Sequence, residues 1–236
     1  MTAAASEASR PPFPDMLPER TALAAVTLTV LLFLSLSTVG ADGSSAPLVL
    51  SDARLAGAFA VQIIVASTLG VWLWRRGWRP HRSATHPFTW RDPLRGVGVW
   101  AAALLGVAVW SAVCHALFPN LFAVAIGTQV VGQPSLSLVI PFVIFNAVFE
   151  ELLWLSLCLV AFRRFGLGIA AAVSVTLRVL VHAYQGPLAL ITIVPMGVAF
   201  TLYYLRSRRL WPVVLAHVFQ DLLSLGALAT GVTRPA

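Results

Sequence analysis

The chain has 236 residues, 58% of them hydrophobic and only 11% charged, with a formal net charge of +7 and a mean hydropathy of +0.85. That mix excludes an ordinary soluble domain and predicts a polytopic membrane protein. The basic excess is sixteen Arg and no Lys, clustered in short segments between apolar runs, so it reads as a topology signal and requires no nucleic-acid partner.

Residues 1–20 hold Pro11, Pro12, Pro14 and Pro18 among small and charged residues. They are expected to form a disordered cytoplasmic tail, because they bury too little apolar surface to fold alone. The rest of the chain, residues 21–231, reads as one all-α transmembrane domain of about seven spanning helices, at 21–39, 55–74, 97–117, 136–162, 167–183, 188–205 and 210–229. An apolar piece at 121–131 is too short to span and stays outside that count as a re-entrant candidate. Arg75, Arg76, Arg79, Arg82, Arg91 and Arg95 fill one connection, Arg163 and Arg164 another, and Arg206, Arg208 and Arg209 a third. The alternate connections, 40–54, 118–135 and 184–187, carry only Arg54. The expectation is a multi-pass protein of the inner cell membrane with a cytoplasmic amino terminus. An Arg-only, Ala-rich chain also looks like the product of a GC-rich coding sequence, which points to a bacterial source.

Cys114 and Cys158 lie in apolar runs and read as packing residues. His81, His86 and His115 read as solvated or interfacial, and Trp72, Trp74, Trp78, Trp90, Trp100 and Trp211, near run ends, as an aromatic belt. Gly168, Ala172 and Thr176 read as a small-residue face for close helix packing.

Ionisable residues inside the apolar runs carry the functional signal. Glu150 and Glu151 are adjacent within 136–162, Arg178 and His182 share the next run, and His217 and Asp221 share the last. A charged side chain at mid-membrane costs roughly 2.5–3.5 kcal/mol on insertion scales, so these groups are expected to pair, protonate or do chemistry. At ~1.5 Å rise per residue, Glu150 lies roughly 21 Å and Asp221 roughly 17 Å into their helices, so the groups fall at similar depth. Residues four apart share a helix face, which aligns Asn146 with Glu150, Ser174 with Arg178 and His182, and His217 with Asp221.

The Glu150-Glu151 pair, His182 followed by Tyr184-Gln185-Gly186, and Leu210-Trp211-Pro212 leading into His217-xxx-Asp221 resemble the CPBP family of intramembrane proteases. That family includes the CAAX-box endopeptidases and the bacteriocin-processing Abi proteins, and the resemblance covers roughly residues 139–228. The family pattern is a Glu pair with Arg four residues on, Phe-xxx-His, and His-xxx-Asn or Asp. Leu155 stands where the Arg is usual and Arg178 where the Phe is usual.

The resemblance implies an intramembrane endopeptidase, glutamic or metal-dependent, acting on a membrane-associated peptide or protein substrate within the lipid bilayer. Glu150 would be the general base on water. His182, His217 and Asp221 would orient that water and stabilise the oxyanion, and Glu151 would be structural support. The cofactor is either none or a divalent metal, held if present by Glu150, His182 and His217. Two rival readings stay open: an inactive relative that binds a membrane peptide or partner, and a proton-relay transporter. Because Leu155 strands Glu151 without its usual partner, Arg178 is expected to pair with Glu151 from the neighbouring helix.

Overall fold

The structure, a computed structural model, describes residues 17–38, 48–79, 86–127 and 130–231. The tail expected over residues 1–20 falls outside the described residues up to residue 16, as does His81.

The described chain is a helical bundle: α1 (Glu19–Thr38), α2 (Asp52–Arg75), α3 (Asp92–Leu117), a short α4 (Pro119–Gly127), α5 (Leu136–Glu151), a π-helical turn (Leu152–Cys158), α6 (Leu159–Phe162), α7 (Leu167–Val181), α8 (Pro187–Ser207) and α9 (Trp211–Thr230). The all-α membrane architecture is as expected, and the count of about seven spans is not confirmed. Among the described residues five helices are long and apolar enough to cross a membrane: Asp52–Arg75, Asp92–Leu117, Leu136–Phe165, Ala189–Ser207 and Trp211–Thr230. The fifteen-residue α7 is about 22 Å long, short of a hydrocarbon core of about 30 Å. It stops because its last turn reaches the site rather than the far surface. His182, its C-cap, sits beside Glu150, the fifteenth residue of the thirty-residue stretch from Leu136 to Phe165.

The short apolar piece near 121–131 is neither a span nor a simple loop. It forms α4 and then a strand, Val130–Gly132, that pairs in parallel with Leu48–Leu50. The two connections are thereby joined at one end of the bundle. Gly132, at φ +131°, makes the pairing possible, since a Cβ there would collide with the Leu50 carbonyl.

The opposite end is tied by charge. Arg163 Nε donates to Glu19 Oε1 at 3.0 Å, joining the start of α1 to the turn after α6. Asp92, fully buried, accepts from Arg95 Nη1 at 3.0 Å, from Arg209 Nε at 3.1 Å and from the Thr89 backbone N–H at 2.7 Å. This carboxylate fastens the start of α3 to the turn between α8 and α9. α3 also meets α9 closely at Gly96, where a Cβ would lie 2.9 Å from Leu215 Cβ.

The centre is filled by Trp154, Phe200, Tyr204, Leu153, Leu155 and Leu159, all essentially sealed from the outside. The face of α7 that turns inward is Ala170, Ser174, Arg178 and Val181. Gly168, Ala172 and Thr176, expected as the packing face, are exposed instead. The polar stripe has a partner to satisfy and takes the inward position.

Candidate active site

The π-helical turn begins directly after the glutamate pair. Its sequence, Leu152 to Cys158, has no Gly or Pro to break a regular helix, so the wider winding is fixed by what surrounds it. Trp154 and Leu155 are driven fully into the core, and Ser174 Oγ donates to the Trp154 carbonyl at 2.8 Å. Short π segments of this kind recur at functional sites.

Glu151 points inward and is completely buried. Arg178 reaches it from α7 with a two-pronged contact, Nη1 to Oε1 at 2.9 Å and Nη2 to Oε2 at 2.6 Å. This fork geometry matches guanidinium to carboxylate and fixes both side chains. The expected pair is therefore present in the structure. Arg178 is supported by Phe200, whose ring centroid lies 5.7 Å from the guanidinium carbon. His217 Nδ1 also contacts Glu151 Oε1, at 2.7 Å. Glu151 is thus the hub that joins the π turn, α7 and α9.

Glu150 faces the other way and keeps 14% of its side chain exposed. Its Oε2 accepts from Trp154 Nε1 at 3.4 Å, and its Oε1 lies 3.9 Å from His182 Nε2. His182 Nδ1 lies 2.7 Å from the Arg178 carbonyl. A carbonyl oxygen only accepts, so Nδ1 carries the proton and the ring presents Nε2 to Glu150. The separation of 3.9 Å leaves the two groups free to share a water rather than each other.

Asp221 closes the site from α9 and is its most open member, 24% exposed. Its Oδ2 lies 3.4 Å from His217 Nε2 and accepts from Asn146 Nδ2, also at 3.4 Å. Asn146 in turn accepts from Gln62 Nε2 at 2.6 Å.

All six expected side chains therefore converge. Glu151, Arg178 and His217 form the buried base, while Glu150, His182 and Asp221 line the accessible rim. Among the described residues no three His, Cys, Asp or Glu side chains are placed to share a metal ion. Of the conditional ligand set Glu150, His182 and His217, the last faces a carboxylate with each ring nitrogen. The residues as arranged do not fit a metal centre.

Four participants had no functional role assigned at the level of sequence. Gln62 is an amide in the middle of an otherwise apolar run, a signal of the same kind as the carboxylates. Asn146 shares a face with Glu150, but its contacts across helices depend on how α2, α5 and α9 pack. Trp154 stands four residues after Glu150, the spacing of one helix face, whereas the bond from Ser174 to the Trp154 carbonyl depends on how α7 packs against the π turn.

Residues 132–223 match the family model described as type II CAAX prenyl endopeptidase, Rce1-like. The match bears out the resemblance read from the three motifs, and it spans every site residue from Asn146 to Asp221. No curated protein and no solved structure matches the chain.

Proposed function

We propose that the protein is an intramembrane endopeptidase that hydrolyses a peptide bond in a hydrophobic or membrane-tethered substrate. The matched family is one of endopeptidases, and a bundle of apolar helices suits such chemistry on membrane-borne peptides. The observation that carries the reading is the division of labour between two adjacent carboxylates. Glu151 is sealed and held by Arg178 and His217, whereas Glu150 is partly exposed, lightly held, and faces a histidine nitrogen.

In this reading a water lies between Glu150 and His182. Glu150 takes one proton as the water oxygen bonds to the scissile carbonyl carbon, and the carbonyl electron pair moves onto its oxygen. His182 orients the water, and the oxyanion forms on the side of His217 and Asp221, where an N–H donor stabilises it. The C–N bond then breaks as the electron pair returns, and the proton held by Glu150 passes to the leaving amine. The products are a new carboxylate terminus and a new amino terminus, and the enzyme returns to its starting state. No step requires a cofactor.

The family description suggests prenylated peptides ending in a Cys-aliphatic-aliphatic-X sequence as the first substrates to test. Purified protein would be assayed on such peptides and on a broader hydrophobic library. Glu150→Gln keeps shape and removes the base, so turnover is expected to fall about 100-fold or more with unchanged thermal stability. Turnover by Glu150→Gln at the wild-type rate overturns the assignment. A wild-type protein that binds but cuts none of these peptides would favour the inactive, peptide-binding relative.

A further inference from the structure

An oxyanion needs hydrogen-bond donors preorganised where its charge develops. Donors on the accessible side of this site are few. Both terminal nitrogens of Arg178 are engaged by Glu151, Trp154 Nε1 donates to Glu150, and His182 Nδ1 donates to a backbone carbonyl. Asp221, as a carboxylate, only accepts. Among the described residues, two N–H groups converge on the same anionic oxygen, Asp221 Oδ2, each at 3.4 Å: Asn146 Nδ2, and His217 Nε2, which carries a proton because both ring nitrogens of His217 face carboxylates, which only accept. Two donors from different helices aimed at one negative oxygen describe a cradle for an oxyanion, and the long contacts leave them free to serve a second anion beside it.

Asn146 delivers its NH₂ to that cradle only because its own carbonyl oxygen is claimed on the other side. Gln62 Nε2 donates to Asn146 Oδ1 at 2.6 Å, the shortest contact in this chain of groups. Gln62 reaches it from α2, more than nine-tenths buried, and its Oε1 has no hydrogen-bond partner among the described residues. Turning the Gln62 amide over would set two carbonyl oxygens against each other. Turning both amides over would set the Asn146 oxygen against Asp221. The orphaned acceptor is the cost of one defined orientation, since a buried polar atom left unpaired is unfavourable.

From this geometry we infer that Asn146 is a second oxyanion donor of the proposed protease, beside His217, and that Gln62 is the positioning residue that aims it. The inference rests on the endopeptidase reading and adds a neutral amide arm, supplied by α2 and α5, that the sequence motifs do not contain.

The test uses the full-length protein in detergent with its best-cleaved peptide, plus a phosphinic analogue of that peptide whose anionic tetrahedral centre mimics the intermediate. Asn146→Ala is expected to lower kcat by about 100- to 1,000-fold and to leave KM within about threefold. Affinity for the phosphinic peptide should weaken in proportion to kcat/KM, which a purely structural residue would not produce. Asn146→Asp, nearly isosteric, should fail at least as badly, and covers the case in which the alanine variant does not fold. Gln62→Leu removes the orphaned oxygen along with the donor. It should lower kcat about tenfold with KM unchanged and without a lower melting temperature.

Asn146 variants that keep wild-type kcat, or lose kcat while binding the phosphinic peptide normally, overturn the inference. Glu150→Gln separates the two readings: it should abolish turnover yet retain phosphinic binding. If it does so while the Asn146 variants are fully active, only the donor assignment falls. If the wild-type protein neither cleaves the peptides nor binds the analogue, both fall together.

Discussion

At the scale of single residues, the site is organised by what a buried charge demands. Arg178 and Glu151 are each nearly or wholly inaccessible, and neither is tolerable alone at that depth. Removing one partner strands the other, which typically costs about 3–5 kcal/mol, whereas removing both leaves no orphan. A double-mutant cycle on thermal stability in detergent, with Arg178→Phe, Glu151→Gln and the pair together, should therefore show a double variant less destabilised than the sum of the singles. Strict additivity would contradict the contact. His217 modifies the expectation in one respect: it also leans on Glu151 Oε1, so Glu151→Gln should weaken the α9 side and be the worse of the two single variants. The Arg178–Glu151 pair was legible in the chain because an isolated guanidinium and a glutamate lacking its usual arginine must find one another. The bond from His217 to Glu151 was not, since helical spacing pairs His217 with Asp221 and says nothing of its other nitrogen.

Helices and turns were legible to the extent that hydrophobic length specifies them. The runs at 55–74, 97–117 and 210–229 correspond to α2, α3 and α9 within a few residues. What periodicity could not reveal is winding set by tertiary contact. The π turn after Glu151 is such a case, and Ser174 is its clearest external support, donating to the Trp154 carbonyl in a sealed environment. Ser174→Ala leaves that carbonyl without this partner and is expected to cost about 1–3 kcal/mol, read as a lower melting temperature. Because Trp154, whose carbonyl Ser174 holds, also donates to Glu150, the same variant should also lose turnover. A Ser174→Ala protein as stable as wild type would mean that the π winding holds without the hydroxyl. The end of α7 was legible within two residues: the run was read to residue 183, and the helix ends at Val181 with His182 as its C-cap.

Over the whole molecule, the two ends of the bundle differ in chemistry, and that difference bears on orientation. One end collects Arg163, Arg164, Arg206, Arg208 and Arg209 with the ion pairs at Glu19 and Asp92. The other holds the paired strands Leu48–Leu50 and Val130–Gly132, with Arg54 turned onto the Val49 carbonyl. Arginine-rich connections are retained on the cytoplasmic side during insertion, so the strand-bearing end should face outward. Both native cysteines, Cys114 and Cys158, are buried, which permits single-cysteine labelling with little background. Gln133→Cys, exposed beside the second strand, should react with a membrane-impermeant thiol reagent applied from outside intact cells, and Arg164→Cys should react only after the membrane is opened. The reverse pattern would invert the bundle. The outcome also fixes how substrate reaches the site, because Glu150 and His182 lie half-way along the Leu136–Phe165 stretch, and α7, ending there, leaves its far end to the turn at 183–186. With the strand-bearing end outward, that turn rises from the site toward the outer face, and the basic end, closed by the Asp92 and Glu19 contacts, lies on the cytoplasmic side. Relaxing the closure with Asp92→Asn should then loosen the cytoplasmic end, seen as faster labelling of Arg164→Cys in opened membranes, while labelling of Gln133→Cys stays unchanged.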